Sequence, residues 1–407
     1  MAYSMILNKN LLQIILVRSR SRFATISQGK LHSLNVKLTN EKTQKFPHAP
    51  SENSARDREI PSDTILQELS RHESLLHSKE QQTFDLIVPL DPPSISSSIK
   101  SWISNWSDAA YGLSKFRLTS FVVMSAIAGA GLAAPTGLAS QEFLAHQPLT
   151  LFSLIMGTGL ASACANTINQ IVEISHDSKM KRTAARVLVT KKVTPPEAAA
   201  FALLSGVGGV GLLAFGTNPL VALLGAFNVG LYTCVYTPMK RVTQYNTWIG
   251  AVVGAIPPLM GWAAVTGNLD AGSLMLAALL YVWQFPHFMA LSWNNRDDYA
   301  RAGYVMSANV DPRLCRAAAL RHAVATAVIC LAGAGCTAGC LGPWAGYALG
   351  LTSLPANLGL MYYSYKFYHA PDNQSSLAAR QLFRMSLFHL PVVITAMLVC
   401  TNVAAFY

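Results

Sequence analysis

Two groups of polar residues, each with two carboxylates, stand beside long apolar stretches in a chain of 407 residues that is 51% apolar and only 13% charged. The first group comprises Asn169, Glu173 and Asp177, spaced four residues apart, so its side chains project along one face of a helix. The second comprises Asp297 and Asp298 in a polar run. Carboxylates inside or beside a bilayer are costly and usually functional. Hard oxygen ligands of this kind suit Mg²⁺.

Basic residues accompany both acidic groups. Lys240 and Arg241 lie in a polar loop, 236–246, that we place on the same side of the apolar segments as the acids. Two acidic groups with nearby bases can bind a diphosphate, because Mg²⁺ bridges carboxylate to phosphate and the bases neutralise the remaining charge. Read separately, Asp297 and Asp298 fit a solvated loop, and the two bases fit ordinary residues at a membrane boundary.

Nine apolar segments must position these groups, each near the roughly 20 residues that a helix needs to cross a bilayer. We predict an all-α, polytopic membrane protein with nine transmembrane helices. The low content of charged residues argues against a water-soluble enzyme. The segments are 116–136, 149–174, 197–216, 218–237, 247–266, 272–293, 315–336, 341–366 and 382–404.

The loops between these segments alternate in charge, and only every second loop carries bases. By the positive-inside rule all basic loops face one compartment. The net charge of +11 therefore reflects membrane topology, and we expect no nucleic-acid partner.

The first forty residues contain six bases, several serines and no acid, a composition typical of a mitochondrial transit peptide. Residues 41–110 show no sustained periodicity and are predicted to be a flexible arm on the matrix side. Within the arm, apolar residues recur at helical spacing near 99–112, which fits either a helix in the membrane interface or one packed on the core. The membrane domain would then occupy 111–407, in the mitochondrial inner membrane with its site facing the matrix.

Several motifs resemble one family. Asn169-x3-Glu173-x3-Asp177 is similar to the first acidic motif of the UbiA-type intramembrane prenyltransferases, although Glu173, Ala185 and Val187 depart from the commoner pattern. More narrowly, the chain resembles the haem O synthases, or protohaem IX farnesyltransferases. The further matching runs are Tyr236 to Thr247, Gly250 to Trp262, Trp283-Gln284-x-Pro286-His287-Phe288, Asp298-Tyr299-x3-Gly303, and Ala379 to Pro391.

This resemblance implies a UbiA-like bundle that transfers a farnesyl group from farnesyl diphosphate to the vinyl group of haem b, giving haem O for haem A synthesis and cytochrome c oxidase assembly. Haem b would be a substrate and Mg²⁺ the cofactor. Asn169, Glu173, Asp177 and Asp298 would be catalytic, with Asp297 a further metal ligand. The predicted substrate-binding residues are Lys115, Arg117, Arg182, Arg186, Lys240, Arg241, Asn246, His287, Tyr299 and His389.

Two histidines are candidates for contact with the iron or a propionate of haem b, His287 beside the second acidic group and His389 in the last segment. Each also fits a hydrogen-bonded packing residue. The partners implied are farnesyl diphosphate, haem b and the bilayer, with haem A synthase or a second copy of the chain left open. A quinone prenyltransferase shares the acidic motifs but not the Trp-Gln-x-Pro-His-Phe run, and a transporter would place its charges at the bilayer midplane.

Overall fold

The computed structural model describes the backbone of residues 95–404 and the side chains of 103–403 except 340 and 341. The predicted transit peptide and most of the predicted arm lie outside these residues. The described part of the chain is helical and contains no β-strand. Its helices are α1 (Ile95–Leu113), α2 (Phe116–Ala133), α3 (Gln141–Val172), α4 (Ile174–Asp177), α5 (Pro195–Gly216), α6 (Pro219–Gly230), α7 (Asn246–Thr266), α8 (Ala271–Asn294), α9 (Arg296–Ala302), α10 (Ser307–Val310), α11 (Pro312–Leu341), α12 (Pro343–His369) and α13 (Asp372–Ala404).

Eight helices in the described residues are long and apolar enough to cross a membrane. They correspond to eight of the nine predicted segments. The remaining predicted segment, 341–366, corresponds to α12, a 27-residue helix whose apolar composition is too low to count as a membrane span. The count of nine therefore remains a prediction.

The outward face of α12 nevertheless has the residue order expected of a spanning helix. Exposed aromatic residues stand near both ends, with exposed leucines between them; they are Trp344, Tyr347, Leu351, Leu354, Leu358, Tyr362 and Tyr365. Aromatic side chains favour the two membrane–water interfaces. From Trp344 to Tyr365 the helix rises about 31 Å, close to the roughly 30 Å of a hydrocarbon core.

Several helices begin earlier than the apolar segments predict. The helix predicted from 149 starts at Gln141, where the Ser140 hydroxyl accepts a hydrogen bond from the Phe143 N–H, and it continues through a kink at His146 and Pro148. The last helix begins at Asp372, well before its predicted start at residue 382. Apolar content marks only the part of a helix inside lipid, whereas polar caps set its true end.

Small residues allow α2 and α7 to approach closely. A Cβ added at Gly129 would meet the Pro258 carbonyl, and one added at Gly261 would meet the Ala126 carbonyl. Close contact of this type drives helix association in lipid, where burial of apolar surface from water contributes little. The largest cluster of buried apolar residues surrounds this contact and includes Leu154, Met260 and Leu279.

Candidate active site

The first acidic group sits where α3 ends. Glu173 leaves helical geometry (φ −100°, ψ 9°), and the chain resumes as the single turn α4, which carries Asp177. Asn169, one turn before the break, is fully buried, and Glu173 and Asp177 are 3% and 2% exposed. The predicted face therefore exists despite the break, and it points into the protein.

Both buried carboxylates form ion pairs with predicted substrate-binding bases. Lys240 Nζ lies 2.9 Å from Glu173 Oε1, and the Arg186 guanidinium pairs with Asp177. Burial raises the pKa of Glu173, but the charges of Lys240, Lys115 and Arg186 outweigh it and hold that pKa below its ordinary value. A buried charge needs such a partner, because an unpaired one is strongly destabilising.

Lys115 reaches the same group from a sharp elbow between α1 and α2. Its backbone is left-handed (φ 48°), a strained conformation for lysine, and its Nζ donates to Asn169 Oδ1 at 2.6 Å. Burial, with the nearby charges of Arg186 and Lys240, holds the pKa of Lys115 well below its usual range. Three bases from distant parts of the chain thus converge on one polar face.

Side chains of α3 hold this elbow, and sequence reasoning missed them. Gln170 Nε2 donates to the Leu113 carbonyl at 2.7 Å and to the Gly112 carbonyl at 3.2 Å, and Asn166 Nδ2 donates to the Ser114 carbonyl at 3.2 Å. At the break between α1 and α2 the Leu113 and Ser114 carbonyls accept no backbone hydrogen bond from the described residues, and the Gly112 carbonyl accepts a long one from the Lys115 N–H at 3.3 Å. The available signal in the sequence was a pair of amide residues four positions apart, Asn166 and Gln170, just before Glu173.

A π-helical stretch, Leu231–Tyr236, follows α6 and was also missed. It leads into the turn Thr237–Met239, where Thr237 Oγ1 accepts a hydrogen bond from Asn169 Nδ2 at 3.2 Å. Lys240 Nζ lies 4.7 Å from the centre of the Tyr236 ring. Single π-turns inside helices are frequent at functional sites, and this one brings a hydroxyl and an ammonium group to the acidic face.

The loop that carries Lys240 is joined to the segment after α9. The Val305 N–H donates to the Lys240 carbonyl at 2.8 Å, and Asn246 Nδ2 donates to the Thr243 and Val305 carbonyls at 2.7 and 2.9 Å. Asn246 is 1% exposed. Its hydrogen bonds thus join two loops of the site, whereas the sequence predicts that it binds substrate.

The second acidic group lies on α9, in a more open setting. Asp297 is 89% exposed and 4.0 Å from Arg296 Nε, whereas Asp298 is 16% exposed and pairs with Arg301 one turn later. Within the described residues, no cluster of three or more histidine, cysteine, aspartate or glutamate side chains could hold a metal ion alone.

Tyr304 links the two acidic groups. Its ring lies 5.4 Å from that of His176 on α4 and 6.0 Å from that of Tyr299 on α9. Burial and the Glu173 and Asp177 carboxylates raise the pKa of its hydroxyl, which therefore stays protonated. With Tyr299 and Met180 it forms a small apolar cluster that packs the segment after α9 against the loop after α4. The sequence did not single out Tyr304.

The other predicted bases form no ion pair with the buried carboxylates. Arg241 Nη2 donates to the Val172 carbonyl at 2.8 Å, next to Glu173. Arg117 and Arg182 are exposed and form no ion pair with any residue that the structure describes.

The two predicted haem-contacting histidines lie in different surroundings. His287 on α8 stacks on Trp283, with ring centres 5.1 Å apart, and its Nδ1 lies 2.9 Å from Ser386 Oγ. His389 on α13 is fully buried, and its Nε2 lies 2.9 Å from Asn357 Oδ1 on α12. His389 therefore joins two helices, while His287 keeps a partly exposed ring.

Comparison with known proteins gives relatives for most of the described chain. The model of the UbiA prenyltransferase family matches residues 122–388. A human protein named protoheme IX farnesyltransferase, mitochondrial, is 46% identical over 288 residues, which cover 71% of this chain and 61% of the human one. A Pyricularia oryzae protein of the same name is 43% identical over 300 residues, covering 69% and 53%. The chain spans about three fifths or less of the length of these curated relatives.

Solved structures show the fold. A digeranylgeranylglyceryl phosphate synthase superposes with a TM-score of 0.57 at 13% identity, covering 72% of this chain and 98% of that one. A UbiA homolog from Aeropyrum pernix K1 gives 0.52 at 16% identity, covering 68% and 98%. Together with the all-helical bundle, the family match over more than half of the sequence confirms the resemblance seen in the motifs. The chain belongs to the UbiA prenyltransferase family.

Proposed function

We propose that this protein transfers the farnesyl group of farnesyl diphosphate to a vinyl group of haem b, giving haem O. The observation that carries the proposal is the buried set of ion pairs at the end of α3, where Glu173 meets Lys240 and Asp177 meets Arg186. Charged groups are rarely buried at a membrane boundary without a function. The similarity to proteins named protoheme IX farnesyltransferase supports this choice of acceptor.

The donor set fits Mg²⁺ that arrives with the diphosphate. Mg²⁺ keeps several waters and usually takes one or two protein carboxylates plus substrate phosphates. Glu173 and Asp177 on one side and Asp298 on the other are donors of this kind, and the absence of a three-ligand cluster in the described residues argues against a metal cage built by the protein alone. Mg²⁺ would supply charge neutralisation of the departing diphosphate.

The bases would receive the diphosphate. Lys240 and Arg186 already neutralise the two buried carboxylates, and Lys115 donates to Asn169 beside them. A diphosphate with its cation would exchange these pairs, so that bases bind phosphate and carboxylates bind metal. Stabilising the leaving group in this way is usually the largest catalytic contribution.

The reaction then proceeds in the apolar bundle. The bond between the farnesyl C1 and the diphosphate oxygen breaks, and C1 forms a bond to the terminal vinyl carbon of haem b. Water adds its oxygen to the neighbouring carbon and loses a proton, giving a hydroxyethylfarnesyl side chain. Exclusion of water from the diphosphate end protects the allylic cation before it meets the vinyl group.

An aromatic wall on α8 and α13 is the proposed acceptor surface. Trp283, His287 and Phe383 lie with neighbouring ring centres 4.8 to 5.1 Å apart. Trp283 Nε1 has no hydrogen-bond partner among the described residues. A large apolar acceptor would pack against the edges of these rings.

The proposed location is the mitochondrial inner membrane, with a transit peptide at 1–40, an arm at 41–110 and the site facing the matrix. Loop charge supports this orientation, and the relatives' names include the word mitochondrial. Single cysteines at 178, 243 and 300 in a cysteine-free chain should react with an impermeant reagent only after mitoplasts are permeabilised. One at 407 should react before. Labelling of position 178 in intact mitoplasts would reverse the orientation.

The acceptor is tested with purified protein in liposomes, given Mg²⁺, farnesyl diphosphate and either haem b or a quinone precursor. We expect a haem product whose mass increases by one farnesyl group and one hydroxyl group. The Glu173→Ala variant is the matched control and should give none. A prenylated quinone precursor without any haem product would assign the quinone activity, and no prenylated product from either acceptor would contradict both.

A further inference from the structure

Ser386 on α13 lies beside the ring of His287 on α8. Ser386 Oγ donates its single hydrogen to the Phe383 carbonyl, 2.7 Å away, and the same oxygen lies 2.9 Å from His287 Nδ1. A serine hydroxyl has one hydrogen and two lone pairs. Since that hydrogen is already engaged, the histidine must donate. We infer that Ser386 is a positioning residue that holds His287 as the Nδ1–H tautomer and leaves a lone pair on Nε2.

The surroundings of His287 favour a neutral ring with this arrangement. Its neighbours are aromatic, namely Trp283, Phe288 and Phe383, and no acidic side chain in the described part of the chain pairs with it. Nδ1 is its only hydrogen-bonded nitrogen among those residues. Ser386 is fully buried on α13, so the hydroxyl is held by packing as well as by the Phe383 carbonyl.

His389 shows the opposite arrangement on the same helix. Its Nε2 faces the carbonyl oxygen of the Asn357 side chain at 2.9 Å, so Nε2 carries the proton and is occupied. Its Nδ1 is enclosed without a partner among the described residues. Of these two histidines, only His287 has a bare nitrogen outside the helix–helix interface.

The tautomer decides how His287 can meet the acceptor, an inference that rests on the proposed function. A propionate only accepts hydrogen bonds, and so does a bare Nε2, so the two do not bind one another. A neutral imidazole whose other nitrogen donates a hydrogen bond is the usual form of a histidine that binds a metal. We therefore assign His287 Nε2 to the haem iron and not to a propionate.

The tautomer can be measured on the haem-free protein. ¹⁵N-histidine protein in liposomes gives ring-nitrogen resonances that separate protonated from bare nitrogens, and subtraction of the His287→Gln spectrum identifies His287. We expect protonated Nδ1 and bare Nε2 in the native chain and in Ser386→Thr, whose hydroxyl can bond the same carbonyl. In Ser386→Ala the two tautomers should mix. Protonated Nε2 in the native chain, or no change in Ser386→Ala, would overturn the inference.

Haem binding tests the consequence separately. Titration with ferric haem b, followed by the Soret band, should show a histidine-ligated spectrum in the native chain. Ser386→Ala should weaken binding by about 10- to 100-fold, the range for lost hydrogen bonds to metal ligands, and Ser386→Thr should restore it. Ser364→Ala is the control, because Ser364 is fully buried on α12 and its hydroxyl has no partner among the described residues.

The two readouts separate the possible failures. Native-like haem binding and spectrum in Ser386→Ala would overturn the positioning role. The expected tautomer without any haem binding by the native chain would contradict the proposed acceptor and leave the tautomer assignment standing.

Discussion

The two acidic groups have similar composition but differ in how they are built. The carboxylates of the first, Glu173 and Asp177, are buried and paired with bases 67 and 9 residues away in sequence. In the second group, Asp297 is exposed and Asp298 pairs with Arg301 on its own short helix. One group is held by several elements, whereas the other depends on local contacts.

This difference indicates that the two groups have different roles in binding the cation and the diphosphate. The buried group is already oriented before any ligand binds, because its charges stabilise one another in a region of low dielectric. In the second group Asp297 keeps its charge hydrated, whereas Asp298 is held by Arg301 and would exchange that base for a cation that arrives with diphosphate. Tyr304 contacts one neighbour of each group, His176 beside Asp177 and Tyr299 beside Asp298.

The largest loss is expected in the buried group. Glu173→Ala, Asp177→Ala and their isosteric versions Glu173→Gln and Asp177→Asn should each lower kcat/KM for farnesyl diphosphate by about 10³-fold, comparable with loss of a strong electrostatic contact in a transition state. Removing one carboxylate leaves a buried base unpaired, at a cost of about 3–5 kcal/mol. The double variant Glu173→Gln/Lys240→Met removes both charges and should stay inactive while its thermal stability recovers. Near-normal turnover in Asp177→Asn would exclude a role for the buried group in catalysis.

A smaller and asymmetric effect is expected in the exposed group. Asp298→Asn should lower kcat/KM by about 10²-fold, whereas Asp297→Asn should change it by less than about threefold, because Asp297 is 89% exposed. Steady-state kinetics of the two variants, measured with equal amounts of enzyme in the membrane, compares their kcat/KM values directly. Equal losses in both variants would show that position on α9 does not distinguish them.

Substitutions at the elbow between α1 and α2 should reduce activity less than substitutions of the carboxylates. Lys115→Met and Gln170→Leu should each raise the KM for farnesyl diphosphate by about tenfold, equivalent to about 1.4 kcal/mol, with little change in kcat. Because Gln170 acts through the elbow, the double variant should lose no more than Lys115→Met alone. Thr158→Val, a buried change on the same helix, is the control. Multiplicative losses in the double variant would make Gln170 an independent residue.

The smallest effect concerns pH. Burial lowers the pKa of Lys115 in the free chain, and a bound diphosphate would raise it again by attraction. The complex therefore holds a proton to higher pH than the free chain does, and affinity should fall as pH rises between the two values. Calorimetry across alkaline pH should show proton uptake on binding, and Lys115→Met should show less. Identical pH dependence in both proteins would contradict this assignment.

The sequence predicted the helical elements and the shared face of Asn169, Glu173 and Asp177, because apolar length and four-residue spacing are local properties. It also singled out Lys240 and Arg186 as phosphate-binding bases, but it did not predict their ion pairs with Glu173 and Asp177. Those pairs depend on which loops meet at the end of the bundle, which no local pattern encodes.

The missed features arise from the same cause. Gln170 and Asn166 are recognisable only once the elbow at Lys115 leaves carbonyls to be satisfied. Tyr304 gains a role because two loops close around it, and the π-turn at 231–236 has no simple sequence signature. Asn246 joins two loops, which the sequence did not indicate, and its binding of substrate stays a prediction.

We propose that the two acidic groups share one cation, which binds with the diphosphate. Mn²⁺ in place of Mg²⁺, with a non-hydrolysable thio analogue of farnesyl diphosphate, allows the bound ion to be counted by electron paramagnetic resonance. We expect Mn²⁺ to bind tightly only when the analogue is present, and both Glu173→Gln and Asp298→Asn to weaken that binding by at least about tenfold. Unchanged Mn²⁺ binding in Asp298→Asn would contradict the shared site.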